Sequence, residues 1–147
     1  MRFLALHVDH FRSEITEKGR TRLIEPAEPK VSETGEALVL LVSVEKGDEP
    51  APKEVAVKAA GEISTLASQL GVQTIVLHPF AHLFAELAAP PIAIEIMDQT
   101  RCTLSEKGYQ VVRTPFGWFN TLEIKAKGHP LSRVARRIEA PEETAWG

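Results

Sequence analysis

Few side chains in this chain have the types and spacing to do chemistry, and its five histidines come first. His7 and His10 stand three apart in a stretch that reads as a strand. They therefore point to opposite faces, a poor spacing for one metal. His78 and His82 are four apart, but Pro79 between them spoils a shared helical face. His129 lies in a turn before Pro130. No His-Glu-x-x-His, Cys-x-x-Cys or mixed Cys/His cluster occurs, so neither a metal nor another cofactor is expected. A Gly-x-Ser-x-Gly nucleophile elbow is also absent. Cys102, the single cysteine, falls mid-helix beside apolar residues and is expected to be buried and inert. No glycine-rich phosphate loop is present, which argues against nucleotide-dependent redox chemistry and phosphoryl transfer.

What remains is geometric. Three segments place Pro, Gly or a small residue near the end of an apolar strand: Ser43–Lys46, His78–His82 and Pro115–Asn120. Such spots expose backbone N–H and C=O groups to a ligand. The third segment lies in TPFGWFN, an unusual density of aromatics for a strand entry. A pocket with backbone donors, one His and one amide suits a small polar substrate. It also suits a developing oxyanion. Read from the residues alone, the site is one for a small ligand or a hydrolytic reaction.

These segments need strands to carry them. Arg2–Val8 reads as a first strand, followed over 12–35 by a polar, irregular excursion that could hold a short strand. ALVLLVSV, Ala37–Val44, is a nearly continuous apolar run expected to be buried on both faces. Residues 45–52 read as a loop. Pro52–Leu70 is the clearest helix: Val55, Ala59, Ile63, Leu66 and Leu70 form one stripe, with Pro52 at its start and Gly71 at its end. Val72–Leu77 is a second buried strand, so a parallel crossover through that helix is expected. A short helix over His82–Ala88, broken by Pro90-Pro91, precedes a longer one over Ile92–Glu106 that Gly108 closes. Tyr109–Arg113 and Trp118–Lys125 are strands, and Leu131–Ile138 is a closing helix or helical turn. The fold class is α/β: one domain over residues 1–140, with a mixed β-sheet core and packed helices. Residues 141–147 read as a frayed tail or the start of a linker.

The chain's 147 residues are enough for one core. No apolar run approaches the ~20 residues of a membrane span, so no membrane partner is expected. One cysteine cannot form an intrachain disulfide, which suits the cytoplasm. The net charge of −3 argues against strong binding of free RNA by this domain alone. The stretch from Lys125 to Arg137 is nevertheless basic and holds no acidic residue. It is either a solvated face or a local phosphate contact that needs help from elsewhere.

At the same three segments the chain resembles the N-terminal editing domain of archaeal threonyl-tRNA synthetases. The matching stretches are LLVSVEK (40–46), HPFAHL (78–83), PFGWF (115–119) and KGHPL (127–131), with the opening MRFLALHVD also similar. The resemblance implies a D-aminoacyl-tRNA deacylase-like fold, usually a homodimer. It implies hydrolysis of the ester in seryl-tRNA(Thr), with the tRNA acceptor end and the remaining synthetase domains as partners. In that family the pocket is built largely from main chain, and the ribose 2′-hydroxyl is thought to assist attack by water. Carried over, Val44, Pro79, Ala81, Phe116 and Gly117 line the amino-acid pocket through backbone, with Phe119 beside them. His82 and Asn120 are the side chains placed to act on substrate or water. Phe119 and Asn120 stand where the family commonly has Tyr and Lys, and Arg133 where it can carry Glu. These departures leave two rivals: a D-aminoacyl-tRNA deacylase, and a catalytically silent dimerisation or RNA-docking domain. Against the first, the Ser-Gln-Phe-Thr signature is absent, because Ser43 is followed by Val-Glu-Lys.

Overall fold

A computed structural model describes residues 1–81, 83 and 86–140. Its spine is β1 (Arg2–Lys18), an unusually long strand whose two halves use different neighbours. Along one edge, Arg2–Val8 pairs antiparallel with β3 (Ala37–Ser43), and Phe11–Glu14 pairs with the short β2 (Val31–Thr34). Along the other edge, Arg2–Leu6 pairs with β7 (Arg133–Arg137), and Val8–Lys18 with β6 (Trp118–Ala126). Register shifts between Val8 and His10 and between Ile15 and Glu17 bend β1, as bulges do.

Beyond β3 the sheet turns parallel. The chain runs from β3 through α1 (Pro52–Leu70) to β4 (Thr74–Pro79), then through α2 (Pro90–Glu106) to β5 (Gln110–Arg113). β3 and β4 pair in parallel, as do β4 and β5. The expected crossover is therefore present, and a second follows it. Val55, Ala59, Ile63 and Leu66 are buried on α1 beside Ala56, Ala60 and Ala67. Alanines at these positions let the helix approach both the sheet and α2. Pro52 stands in its first turn, and Gly71 ends it with φ of 69°. β3 is buried along its whole length. Leu38, Leu40 and Val42 join the main core with the helices, while Ala37, Val39 and Leu41 join a second cluster with Phe11 and Val76.

Five expectations change. Residues 12–35 are less irregular than expected, because β1 continues ten residues past Val8 to Lys18; β2 is the short strand expected there, and 19–30 hold no regular element. Leu131–Ile138 is not helical: Arg133–Arg137 is a strand in which only Val134 is buried, and four exposed neighbours hide its alternation. Pro90 and Pro91 start α2 instead of breaking a helix, since the first turn needs no backbone donors. Glu86–Ala88 are not helical, and Leu87 bridges Glu45 in antiparallel fashion. The remainder of the expected His82–Ala88 helix falls mainly on residues outside those described, as does the tail from 141. Cys102 is exposed, not buried. The buried stripe of α2 is Ala93, Ile96, Met97, Thr100 and Leu104, and Cys102 lies off it.

Candidate functional site

A cavity of about 500 Å³ opens at the C-terminal ends of β3 and β4. This is where an α/β sheet with parallel strands presents its loops to ligands. β3 contributes Val42 and Ser43 and runs on to Val44; β4 contributes His78 and Pro79 and runs on to Ala81. The first turns of α2 add Ala93 and Met97, and the start of β6 adds Trp118, Phe119 and Asn120. Backbone bonds tie the two strand ends together: Phe80 N–H donates to Val42 O at 2.8 Å, and Ala88 N–H to Val44 O at 3.0 Å. The Ser43 hydroxyl donates to Phe80 O, so it is a structural pin and not a poised nucleophile.

The wall opposite is held by Glu25. Its carboxylate pairs with Arg113 and accepts the Phe116 N–H at 2.7 Å. Its carbonyl accepts the Trp118 indole N–H at 2.7 Å, and its own N–H donates to Phe116 O at 3.1 Å. Gly19 N–H donates to Gly117 O at 2.8 Å. The approach is so close that a Cβ on Gly19 would stand 2.6 Å from that oxygen. Gly117 itself has φ of 96°, a conformation that favours glycine. The aromatic-rich entry to β6 is thus one wall of a cavity, fastened to the 19–25 segment by side chain and backbone together.

Val44, Pro79, Ala81, Phe116, Gly117, Phe119 and Asn120 all line this cavity. Phe119 is 49% exposed, unusual for a large aromatic. His82 lies outside the described residues. Arg133 is not among the lining residues: its guanidinium donates to Lys127 O and Ser132 Oγ, both at 3.2 Å. The KGHPL stretch is also elsewhere, with His129 Nε2 2.8 Å from His7 Nδ1. His7 in turn meets Glu36, whereas His10 meets Glu33. Among the described residues no cluster of His, Cys, Asp and Glu could hold a metal.

His78 opens one of the three strand-end segments, but sequence reasoning had given it no role at the site. It lies on the cavity wall, 2% exposed, with Thr114 Oγ1 2.7 Å from its Nδ1 and the ring of Phe11 edge-on. Burial pushes its pKa down to about 4, against a smaller upward pull from the Asn120 amide nearby. At neutral pH the ring is uncharged, a hydrogen-bonding group without a cation's pull. The signal was available: a polar residue closing the apolar run TIVL at a strand end.

Residues 1–138 match the family model described as the archaea-specific editing domain of threonyl-tRNA synthetase. The threonine–tRNA ligase of Methanocaldococcus jannaschii is 39% identical over 143 residues, covering 97% of this chain and 23% of that protein. The enzyme of Pyrococcus horikoshii is 42% identical over 140 residues, covering 94% and 22%. The chain thus spans about a quarter of the length of these curated relatives. Among solved structures, one titled a probable eukaryotic D-amino acid tRNA deacylase superposes with a TM-score of 0.60 at 11% identity, covering 92% of this chain and 98% of that one. At that identity the likeness establishes the fold, which is D-aminoacyl-tRNA deacylase-like. The sequence and the strand-end cavity thus converge: the chain belongs to the archaea-specific editing-domain family of threonyl-tRNA synthetase.

Proposed function

We propose that this domain hydrolyses the ester of L-seryl-tRNA(Thr), the product of mistaken charging, in cis or in trans with an archaeal threonyl-tRNA synthetase. The observation that carries this reading is the make-up of the cavity. Its described walls are strand-end main chain and neutral side chains, apart from one arginine at the rim. Such a site binds a small ester through backbone contacts and asks little of side-chain chemistry. The Ala81 N–H takes no partner among the described residues and is a candidate oxyanion donor. Val44, Pro79, Ala81, Phe116 and Gly117 hold the amino acid, and exposed Phe119 offers an aromatic face to the terminal base. Asn120 orients substrate or water together with His82, and the tRNA 2′-hydroxyl assists the attack. The working assembly is a cytoplasmic homodimer, with the tRNA gripped mainly by the rest of the synthetase.

The need for such a site follows from sterics. A synthetic pocket separates serine from threonine by one methyl group, worth only about 1–3 kcal/mol. A second pocket that admits only the smaller side chain removes the errors. The test is hydrolysis of L-seryl-, L-threonyl- and D-seryl-tRNA(Thr) by this chain. The expected result is loss of the L-seryl ester about 10–200-fold faster than the threonyl ester, the range one methyl supports. Loss of the D-seryl ester alone would assign a D-aminoacyl-tRNA deacylase instead, and loss of none would assign a docking role. Asn120→Ala should lower kcat by less than about tenfold. A drop of about 10²–10⁴-fold, the scale of general acid–base catalysis, would make its side chain part of the chemistry.

A further inference from the structure

Arg20 is the single charged side chain among the described residues that line the cavity. It is exposed and has no carboxylate partner among the described residues, whereas Arg2, Arg12, Arg101, Arg113 and Arg137 all have one. Lys18 and Arg22 on either side are exposed and unpaired among the described residues as well. The backbone beneath these cations is fixed. Gly19 is bonded to Gly117, and Thr21 and Ile24 crowd the position where a Gly117 side chain would stand. Arg20 is therefore anchored at the rim on both sides, with its guanidinium left free.

We propose that Arg20 binds the phosphodiester on the 5′ side of the substrate's terminal nucleoside, with Lys18 and Arg22 extending the same positive edge. The inference rests on the ester-hydrolase reading above. An aminoacyl nucleotide carries a cation, its α-ammonium, at one end and an anion, its phosphate, at the other. A lone arginine repels the first and attracts the second. The α-ammonium then points toward His78 and Ser43, away from the Gly117 side of the amino-acid pocket, and the phosphate lies along residues 18–22. Elsewhere, the basic stretch from 125 to 137 is already partly engaged. Lys127 pairs with Asp9 and Glu36, Arg137 with Glu139, and Arg133 and Arg136 donate to carbonyl oxygens.

The test compares two small substrates, the 3′-seryl esters of adenosine 5′-monophosphate and of adenosine. The wild-type chain is expected to favour the phosphorylated ester by about tenfold in KM, the size of one charge-assisted contact. Arg20→Ala should abolish that preference and Arg20→Lys retain part of it. Lys107→Ala, at the far end of α2, should keep it whole. An unchanged preference in Arg20→Ala overturns the proposal. If the wild-type chain hydrolyses neither ester, the seryl-tRNA(Thr) assay above decides the hydrolase reading, and binding decides Arg20 separately. Fluorescence anisotropy with a labelled oligoribonucleotide ending in CCA then supports the proposal if Arg20→Ala weakens binding and flattens its log–log salt slope by about 0.7, one phosphate's worth. Equal affinity and slope overturn it.

Discussion

His78 illustrates how burial decides what a side chain can offer. The same imidazole on a surface would be half charged near neutrality. Behind Phe11 and Thr114, with almost no water, its pKa falls from 6.5 to about 4. The unfolded chain therefore binds a proton in a window where the native one does not. The ring's contribution is harmless above pH 6.5 and destabilises the fold progressively as the pH falls through that window to about 4. At about 1.4 kcal/mol per pH unit, the full cost is about 3 kcal/mol. His78→Gln keeps a polar partner for Thr114 and removes the titration. Between pH 7 and 4.5, its loss of stability in urea unfolding should be smaller than the wild type's by about 2 kcal/mol. Equal losses would mean that other groups carry the acid sensitivity.

At the scale of elements, the site depends on a wall that no single helix or strand supplies. Residues 19–25 and 113–118 are held together through Glu25, which serves Arg113, the Phe116 N–H and the Trp118 indole at once. Arg113 is nearly buried, and its other carboxylate contact, Asp98, is half exposed. Glu25→Ala would leave its guanidinium poorly compensated and loosen the entry to β6. The expected cost is about 2–4 kcal/mol, read from urea unfolding, since one member of a largely buried pair is removed. A change below about 0.5 kcal/mol, the ordinary surface range, would show that backbone bonds alone hold the wall. This wall was only half legible in the sequence. PFGWF announced itself by composition, but Glu25 sits in a polar stretch that shows no period. The same limit explains β1. Its second half alternates buried Phe11, Ser13 and Ile15 with polar residues, and Ser13 disguises the pattern. By contrast β3, α1 and β4 obeyed simple periodicity and were placed closely. The cavity's strand-end position followed from them, as did the polar residue His78 at the end of β4, while Arg20 needed the third dimension.

For the molecule as a whole, the question is where the catalytic power resides. The parallel half of the sheet delivers two strand ends to one cavity, and β6 and the 19–25 segment close it. Yet the described lining holds no carboxylate, thiol or charged imidazole, and its serine is committed to a carbonyl. A net charge of −3 also makes the isolated chain a poor general RNA binder. Both facts fit a domain that supplies shape and main-chain dipoles while the substrate supplies a reacting group. The ribose 2′-hydroxyl adjoins a 3′-linked ester and can position or activate water within the same bound molecule. A seryl-tRNA(Thr) ending in 2′-deoxyadenosine, with serine on the 3′-oxygen, should therefore bind normally and react slowly. The expected loss is in kcat, about 10²-fold or more, the scale of a missing general base, with KM little changed. Single-turnover hydrolysis of the deoxy and ribo substrates measures this directly. A deoxy substrate cleaved at the normal rate would return the burden to the protein. Asn120 and the His82 position would then be the first places to look.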